Sequence, residues 1–293
     1  MTTSLKHGEL PLGKQSEYVS RYDKSILFPI PRENNRRSIG ISNSGLPFYG
    51  VDIWNAYELS WIDEKGKPRV ALAEFYFPAD SPCIIESKSF KLYLNSFNQT
   101  RFATAEAVSA RLRQDLSEKS GGQVDVVLKA ASLVEDNGLA TAENWLETGS
   151  FTLIDDLPVT VDCYKRNPQL LNGEPPEKEK EGPVKFACVS HLLKSNCPVT
   201  GQPDWATVFI WGEGMPPDEK ALLAYIISFR EQQDFHEHCV ETMFVDIMNA
   251  ANLDKLSVYA RYTRRGGLDI NPLRSTESLP GNTRQFNVKL SRQ

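Results

Sequence analysis

Two apolar, aromatic stretches at residues 55–62 and 69–77 flank the polar turn Asp63-Glu64-Lys65-Gly66-Lys67-Pro68. Apolar runs on either side of a glycine- and proline-containing turn predict a β-hairpin. Residues 90–116 then place apolar side chains at helical spacing, which predicts helix. Residues 124–128 return to a strand pattern. The first half of the chain therefore predicts two strands, helical structure and a further strand.

The same order of elements recurs after a charged, proline-rich break at residues 172–183. Strands are predicted at residues 184–189 and 206–211, helices within 218–251 and a last strand at 256–262. Four residues also recur at an offset of 132 positions: Tyr93, Ser96, Phe97 and Val108 match Tyr225, Ser228, Phe229 and Val240. We therefore expect two copies of one strand-strand-helix-helix-strand unit in an α+β protein.

This repeat predicts the domain organisation. Residues 1–50, rich in Gly, Pro, Asn and Arg, are expected to form an extended arm. A first module should span residues 51–171, a linker 172–183 and a second module 184–293. Under the offset of 132, Thr104 and Ala105 correspond to His236 and Glu237, so the first copy is expected to lack both the acid and the base.

Composition narrows the class of function. The chain has 293 residues, of which 40% are apolar, and a net charge of −5 without a basic face. A small molecule is therefore a better expected partner than a nucleic acid. The first seven residues lack the apolar core of a signal peptide, and no run reaches the roughly eighteen apolar residues that span a bilayer. We expect a cytosolic protein whose five cysteines remain thiols.

Cys197 is the first candidate for chemistry. It lies in a polar, proline-bounded segment between two predicted strands, where a thiol should be accessible to solutes. Asp204 follows seven residues later, and a carboxyl group beside a thiol can hold or donate a proton. Lys194 is expected to help ionise the thiol. A loop cysteine without any reaction remains the simpler interpretation of Cys197 alone.

His236 and Glu237 stand at the start of a predicted helix, about 100° apart around its axis. Both side chains can reach one pocket at the end of that helix. Cys197, Asp204 and His236 would also suit a thiol hydrolase, in which histidine deprotonates the sulfur. The neighbouring His and Cys residues match no usual zinc spacing, and no metal is expected.

Basic residues mark two further positions. Residues 84–93 place an acid, hydroxyls and two lysines where a strand gives way to a helix, and helix N-termini attract anions. The last predicted strand ends in Arg264-Arg265-Gly266-Gly267, where glycine lets a backbone approach a phosphate. No G-x-G-x-x-G follows any predicted strand, so a dinucleotide would not bind in the Rossmann manner.

Together these segments resemble the NADPH-dependent 7-cyano-7-deazaguanine reductases of queuosine biosynthesis, in their long, two-module form. The family's Glu-Ser-Lys-Ser-apolar-Lys-Leu-Tyr motif stands at Glu86–Tyr93. Further matches are the cysteine segment Ser190–Cys197, Phe235-His236-Glu237 and the tail Tyr259–Pro272. The resemblance covers nearly the whole chain.

The resemblance implies two tandem tunnelling-fold modules, each an antiparallel sheet with helices on one face, assembled into a homodimer. It implies that Cys197 adds to the nitrile to form a thioimide, that Asp204 donates a proton and that His236 positions substrate and assists proton transfer. The implied substrate-binding residues are Ile85, Glu86, Ser87, His236 and Glu237. The implied NADPH-binding residues are Ser87, Lys88, Arg265 and Gly266.

Two alternatives remain open from the residues. A thiol hydrolase would use Cys197 but gives no task to the lysine motif or the terminal arginines. A non-catalytic purine-binding protein of the same fold would use Glu86 and Glu237 and leave Cys197 idle. NADPH consumption distinguishes the three.

Overall fold

The structure is a computed structural model that describes residues 19–42, 45–130, 142–147, 149–173 and 183–293. These residues form two compact units. Unit one comprises the described residues of Met1–Asn34, Trp54–Val134 and Arg265–Leu268. Unit two comprises those of Asn35–Ile53, Glu135–Arg264 and Asp269–Gln293. No described helix is long and apolar enough to cross a membrane.

The chain contains both helices and strands, in an α+β arrangement. Before residue 131 they are β1 (Pro29–Pro31), α1 (Glu33–Ser38), β2 (Tyr49–Ile62), β3 (Pro68–Pro78), β4 (Cys83–Ile85), α2 (Ser87–Asn95), α3 (Ala105–Ser120) and β5 (Asp125–Lys129). After it they are β6 (Thr152–Leu153), β7 (Val184–Asn196), β8 (Pro203–Met215), α4 (Glu219–Ser228), α5 (His236–Ala250), β9 (Asn252–Tyr262) and β10 (Leu268–Ser275).

Strand pairing is mainly antiparallel, as expected. In unit one, β3 pairs with β5 and β1 with β4, both antiparallel. In unit two, β7 pairs with β8, β8 with β9 and β9 with β10, again antiparallel, whereas the two residues of β6 run parallel to β7. The sequence predicted most of these strands but ended β7 too early and began β8 too late.

The helical stretch predicted for residues 90–116 consists of two helices. Glu86 caps α2, because its carboxylate accepts the backbone N–H groups of Lys88 and Ser89 at 2.9 and 2.7 Å. Thr104 caps α3 by accepting the N–H of Ala107 at 3.2 Å. Capping residues satisfy N–H groups that have no partner inside the helix. The two caps mark where α2 and α3 begin, in agreement with the two helices predicted for each copy.

Residues 142–171 belong to unit two, whereas the sequence placed them in the first module. Trp145 packs on the rings of Phe209 and Tyr259, each with centroids 5.2 Å apart. Arg166 forms a two-bonded ion pair with Asp246 of α5. These long-range contacts leave no local sequence pattern. Most of the predicted linker, residues 174–182, lies outside the described residues.

Equivalent hydrogen bonds recur in the two units. The hydroxyl of Tyr93 donates to Asp115 at 2.7 Å, and that of Tyr225 donates to Asp246 at 2.6 Å. In each unit a serine three residues after that tyrosine donates to the tyrosine's own carbonyl at 2.6 Å. The predicted correspondences of Tyr93 with Tyr225 and of Ser96 with Ser228 therefore accompany a repeat of contacts.

The repeated hydrogen bonds change one of the residue correspondences that the sequence predicted between the two copies. Tyr93 and Asp115 are 22 residues apart, whereas Tyr225 and Asp246 are 21 apart, so the offset drops by one between the paired helices. The helices α3 and α5 begin at Ala105 and His236. His236 thus corresponds to Ala105 rather than Thr104, and Glu237 corresponds to Glu106. The expectation that the first copy has no acid there was wrong.

Candidate active site

Cys197 opens the turn between β7 and β8. Its N–H donates to the carbonyl of Gln202 at 2.8 Å, and its own carbonyl accepts the N–H of Gly201 at 3.0 Å. Gly201 has a φ of 65°, which glycine adopts without strain. The long loop expected around the cysteine is therefore a short turn whose two backbone hydrogen bonds fix Cys197 at the end of the hairpin.

The surroundings of Cys197 differ from the expectation in two respects. The residue is only 9% exposed, so it is less accessible than its polar segment suggested. The ammonium of Lys194 donates to the side chain of Asn196 and to the carbonyl of Arg230, both at 2.7 Å. Successive residues of a strand point to opposite faces, so Lys194 and Ser195 do not share a face. Lys194 has partners other than the thiol.

Strand register brings Asp204 and two further polar residues to one face. Ser195 lies opposite Asp204 in the β7–β8 pair, and Ala206 lies opposite Tyr262 in the β8–β9 pair. Directly opposed residues share a face, as do residues two apart on one strand. Ser195, Asp204 and Tyr262 therefore lie on the same face, and all are buried.

His236, the first residue of α5, contacts this face. Its Nε2 lies 3.4 Å from Oδ2 of Asp204. Its ring stacks on that of Tyr262, with centroids 3.7 Å apart and planes at 1°. The chain just before α5 is tied to β7, since Asn196 donates its N–H to Gln232 and accepts that of Asp234. The structure thus brings His236, Asp204 and the turn of Cys197 to the same end of unit two.

Cys239, one helical turn after His236, is a second buried thiol. Burial raises the pKa of Cys239 well above its usual value, and burial also raises that of Tyr262. Both groups therefore remain protonated and neutral near pH 7. Cys239 is therefore unsuited to act as a nucleophile, because a thiol must ionise to react.

Glu237 is 4% exposed at the start of α5. A carboxylate there can accept hydrogen bonds from a ligand with N–H groups. The structure does not test the role in substrate binding that the sequence predicts for Glu237, so that role stays a prediction.

In unit one, Glu86 is 0% exposed and acts as the cap of α2. Burial raises the pKa of Glu86 above its usual value, against the opposing effects of its two amide donors and of Lys88. Ile85 is buried in β4 beside Pro29 of β1, and Ser87 is the half-buried first residue of α2. Their predicted contacts with substrate stay predictions, and Glu86 has a structural task as well.

The two segments predicted to hold NADPH both lie beside Glu58 of β2 in unit one. Lys91 forms an ion pair with Glu58 and shares a helical face with Lys88. Gly267 lies so close that an added Cβ would meet the Glu58 carboxylate at 2.6 Å, and its carbonyl accepts the N–H of Tyr57 at 3.0 Å. The part of α2 that carries Lys88 and Lys91 and the turn at Arg265–Leu268 therefore both lie beside β2.

These residues fit a phosphate-bearing cofactor in part. Gly266 is exposed with a φ of 58° and open space around the position of a Cβ, so a ligand can approach its backbone. Lys88 and Arg265 supply positive charge. The N–H groups of Lys88 and Ser89, however, already bind Glu86, so the expected anion site formed by helix N–H groups is partly occupied by a protein carboxylate.

None of the five cysteines, all within the described residues, forms a disulfide. Within the described residues no group of three or more His, Cys, Asp or Glu side chains is placed to hold a metal ion.

Comparison with known proteins identifies the family. A model of the nitrile reductase 7-cyano-7-deazaguanine-reductase N-terminal region matches residues 18–128, and a model of QueF-like protein matches residues 203–280. The NADPH-dependent 7-cyano-7-deazaguanine reductase of Cupriavidus metallidurans is 54% identical over 92% of this chain and 94% of its own. The chain belongs to this reductase family.

Other relatives in the reductase family agree. The protein of the same name from Cupriavidus necator is 53% identical over 90% of this chain and 92% of its own. The one from Bordetella pertussis is 52% identical over 92% of this chain and 94% of its own. A solved structure of the archaeosine synthase QueF-Like in the apo form overlaps 35% of this chain and 100% of its own at 15% identity, with a TM-score of 0.29 too low to bear on the fold.

Sequence reasoning missed Ser195 and Tyr262 as neighbours of the candidate site. The signal that could have found Ser195 is register, because a short turn after Cys197 places Ser195 opposite Asp204. No local signal points to the stack of Tyr262 on His236, since the two residues are brought together only by the packing of α5 against β9.

Proposed function

We propose that this protein reduces the nitrile of 7-cyano-7-deazaguanine to the aminomethyl group, in queuosine biosynthesis, through a covalent thioimide on Cys197. One observation carries the proposal: a thiol, an acid and an imidazole lie at one end of unit two in a member of the reductase family. The family relation supports the substrate and the cofactor, and the geometry supports the roles of the side chains.

Cys197 begins the reaction. Its sulfur adds to the nitrile carbon while the nitrile nitrogen takes up a proton, so a carbon–sulfur bond forms and nothing is expelled. Covalent addition divides one difficult reduction into easier steps, because a thioimide accepts hydride more readily than a nitrile. The turn that fixes the backbone of Cys197 holds the sulfur in one place for the attack.

Asp204 and His236 manage the protons. Asp204 is 3% exposed, so a proton that it gives to the nitrile nitrogen is not exchanged freely with solvent. His236, at 3.4 Å from Asp204, can return a proton to that carboxylate or pass one to the substrate. A positioned acid of this kind contributes roughly 10²–10⁴-fold to a rate.

NADPH, when bound, supplies one hydride in each of two reductions. Lys88, Arg265, Ser87 and the backbone of Gly266 are the residues we propose to hold it. Lysine and arginine suit its phosphates, and the open backbone at Gly266 permits close approach. Between the reductions the thiolate of Cys197 leaves and is protonated again, which restores the enzyme.

Substrate recognition is assigned to carboxylates. Glu237 and Glu86 are proposed to accept hydrogen bonds from the ring N–H and exocyclic amine of the deazaguanine, while Ile85 and Ser87 contact the base. We further propose that the recurring elements are two tunnelling-fold modules and that two chains form a homodimer without binding nucleic acid directly. Equilibrium sedimentation that gives a monomer would remove the dimer.

The deciding experiment is an assay of the purified protein with the cyano base and NADPH, followed at the nicotinamide absorbance and by product mass. Two NADPH should be oxidised for each aminomethyl product, since nitrile to amine is a four-electron change. A thiol hydrolase would release ammonia with NADPH intact. A non-catalytic purine-binding protein would bind the base and change neither reagent.

A further inference from the structure

Tyr262, which lies against His236, has a buried side chain and a backbone held by two hydrogen bonds. The residue is 1% exposed, at the end of β9. Its N–H donates to the side chain of Asn271 at 3.0 Å, and its carbonyl accepts the amide of Gln293 at 2.9 Å. With the backbone fixed on both sides and the ring buried, Tyr262 forms a rigid surface.

His236, by contrast, has few restraints of its own. Its Nε2 lies 3.4 Å from Asp204, which is long for a strong hydrogen bond. Its Nδ1 is buried without a hydrogen-bond partner among the described residues. Histidines that move protons are usually oriented by a hydrogen bond at the second ring nitrogen. For His236 the parallel stack on Tyr262 is the contact that sets the ring plane.

We propose that Tyr262 is a positioning residue, whose ring holds the imidazole of His236 against Asp204 through face-to-face stacking. The proposal rests on the proposed function, because it assumes that His236 moves a proton. The face of an aromatic ring is the negative part of its quadrupole, so the stack also stabilises the imidazolium formed each time His236 takes up a proton. A histidine able to rotate away from Asp204 would spend less time in a reactive position.

The proposed positioning role of Tyr262 depends on its ring and not on its hydroxyl. The buried hydroxyl of Tyr262 interacts with Ser195 and Cys239 and is not part of the stack on His236. Removing the hydroxyl loses these two contacts, which should lower stability slightly, and leaves the stacked ring in place. Tyr262→Phe keeps the stack, whereas Tyr262→Leu and Tyr262→Met keep an apolar side chain and lose it.

A matched control lies in the same strand. Tyr259 is also fully buried, and residues three apart on a strand point to opposite faces. Its ring packs on Trp145 rather than on His236. Tyr259→Leu should therefore lower thermal stability while kcat and the environment of His236 stay unchanged.

The test combines kinetics with NMR of the histidine rings. A proton above an aromatic face is shielded, so the ring protons of His236 should resonate upfield in wild type and in Tyr262→Phe, and move downfield in Tyr262→Leu and Tyr262→Met. With four histidines in the chain, the His236 signals are assigned by substitution. We expect kcat to fall on the order of 10²-fold in the leucine and methionine variants, with little change in KM, and to be restored by phenylalanine.

Three results would overturn the proposal. They are unshifted His236 protons in wild type, a folded leucine or methionine variant with wild-type kcat, and equal kcat losses in Tyr262→Phe and Tyr262→Leu. If wild type oxidises no NADPH with the cyano base, the proposed function fails, and the ring-proton shifts still decide whether the stack exists.

Discussion

Replacing Glu241 by glutamine should destabilise unit two strongly, because Glu241 and Asp52 together balance the charges of two buried guanidinium groups. One carboxylate oxygen accepts N–H groups of Arg274 at 2.8 and 3.1 Å and of Arg36 at 2.7 Å, and the other accepts from Arg36 at 3.0 Å. The side chains of Arg274 and Glu241 are 0% and 3% exposed. Arg274 also donates to Asp52 at 2.8 Å.

The magnitude follows from this burial. Glutamine offers one acceptor oxygen and turns its amide donors towards two cations, which leaves Asp52 alone to compensate them. Removing one partner of a buried ion pair costs about 3–5 kcal/mol. For a chain of this size that corresponds to a fall in Tm of roughly 10 °C.

Thermal and urea unfolding, followed by circular dichroism, measure the effect against a matched exposed pair. Glu277 contacts Lys255 at 3.0 Å with side chains 61% and 43% exposed. Glu277→Gln should therefore cost less than about 1 kcal/mol. Equal losses in the two variants would refute the argument that burial makes the Glu241 network strong.

Three further predictions concern recognition, cofactor binding and pH. Glu237→Gln should weaken binding of the cyano base by about 1.5–3 kcal/mol in calorimetry, the value of a charge-assisted hydrogen bond, and leave NADPH affinity unchanged. Lys88→Ala and Arg265→Ala should raise KM for NADPH more than KM for the base, and higher salt should reduce the difference between variant and wild type, because salt screens the charges that wild type uses. Burial lowers the pKa of His238, but the hydrogen bond and charge of Asp234, with the charge of Glu241, outweigh burial and raise it above 6.5. The stabilisation by His238 should be complete below about pH 6.5 and be lost as pH rises through the raised pKa, so His238→Gln should lower Tm more at pH 6 than at pH 9.

For each of these three predictions, one result would contradict it. Unaltered binding of the base would remove Glu237 from the site. Equal increases in both KM values would mean that Lys88 and Arg265 shape the fold rather than hold the cofactor. A Tm loss from His238→Gln that is the same at both pH values would show that the ion pair with Asp234 contributes no pH-dependent stability.

The sequence predicted features that depend on local patterns. The hairpin of β2 and β3 follows from two apolar runs about a Gly/Pro turn, and the helix at His236 follows from apolar spacing after a polar segment. The candidates Cys197, Asp204 and His236 were found from residue type and motif, and the structure brings Asp204 and His236 into contact.

Features that depend on register or distant packing could not be predicted. The burial of Cys197 follows from the full length of β7 and β8, and the stack of Tyr262 on His236 from the packing of a helix on a strand. The capping role of Glu86 was not predicted, because Glu86 stands in a motif that we assigned to ligand binding. Its carboxylate also accepts N–H groups at the start of α2. The grouping of residues 142–171 with unit two could not be predicted either, because Trp145 packs on residues distant in the sequence.

Intact-protein mass spectrometry without NADPH tests the central claim most directly, because Cys197 is proposed to bond to carbon before any reduction. Wild type mixed with the cyano base should gain the full mass of the base and keep it, since addition to a nitrile expels nothing and no reductant is present. Cys197→Ala should bind the base without gaining covalent mass. Wild type that gains no mass, or that turns the base over in water with release of ammonia, would contradict the account.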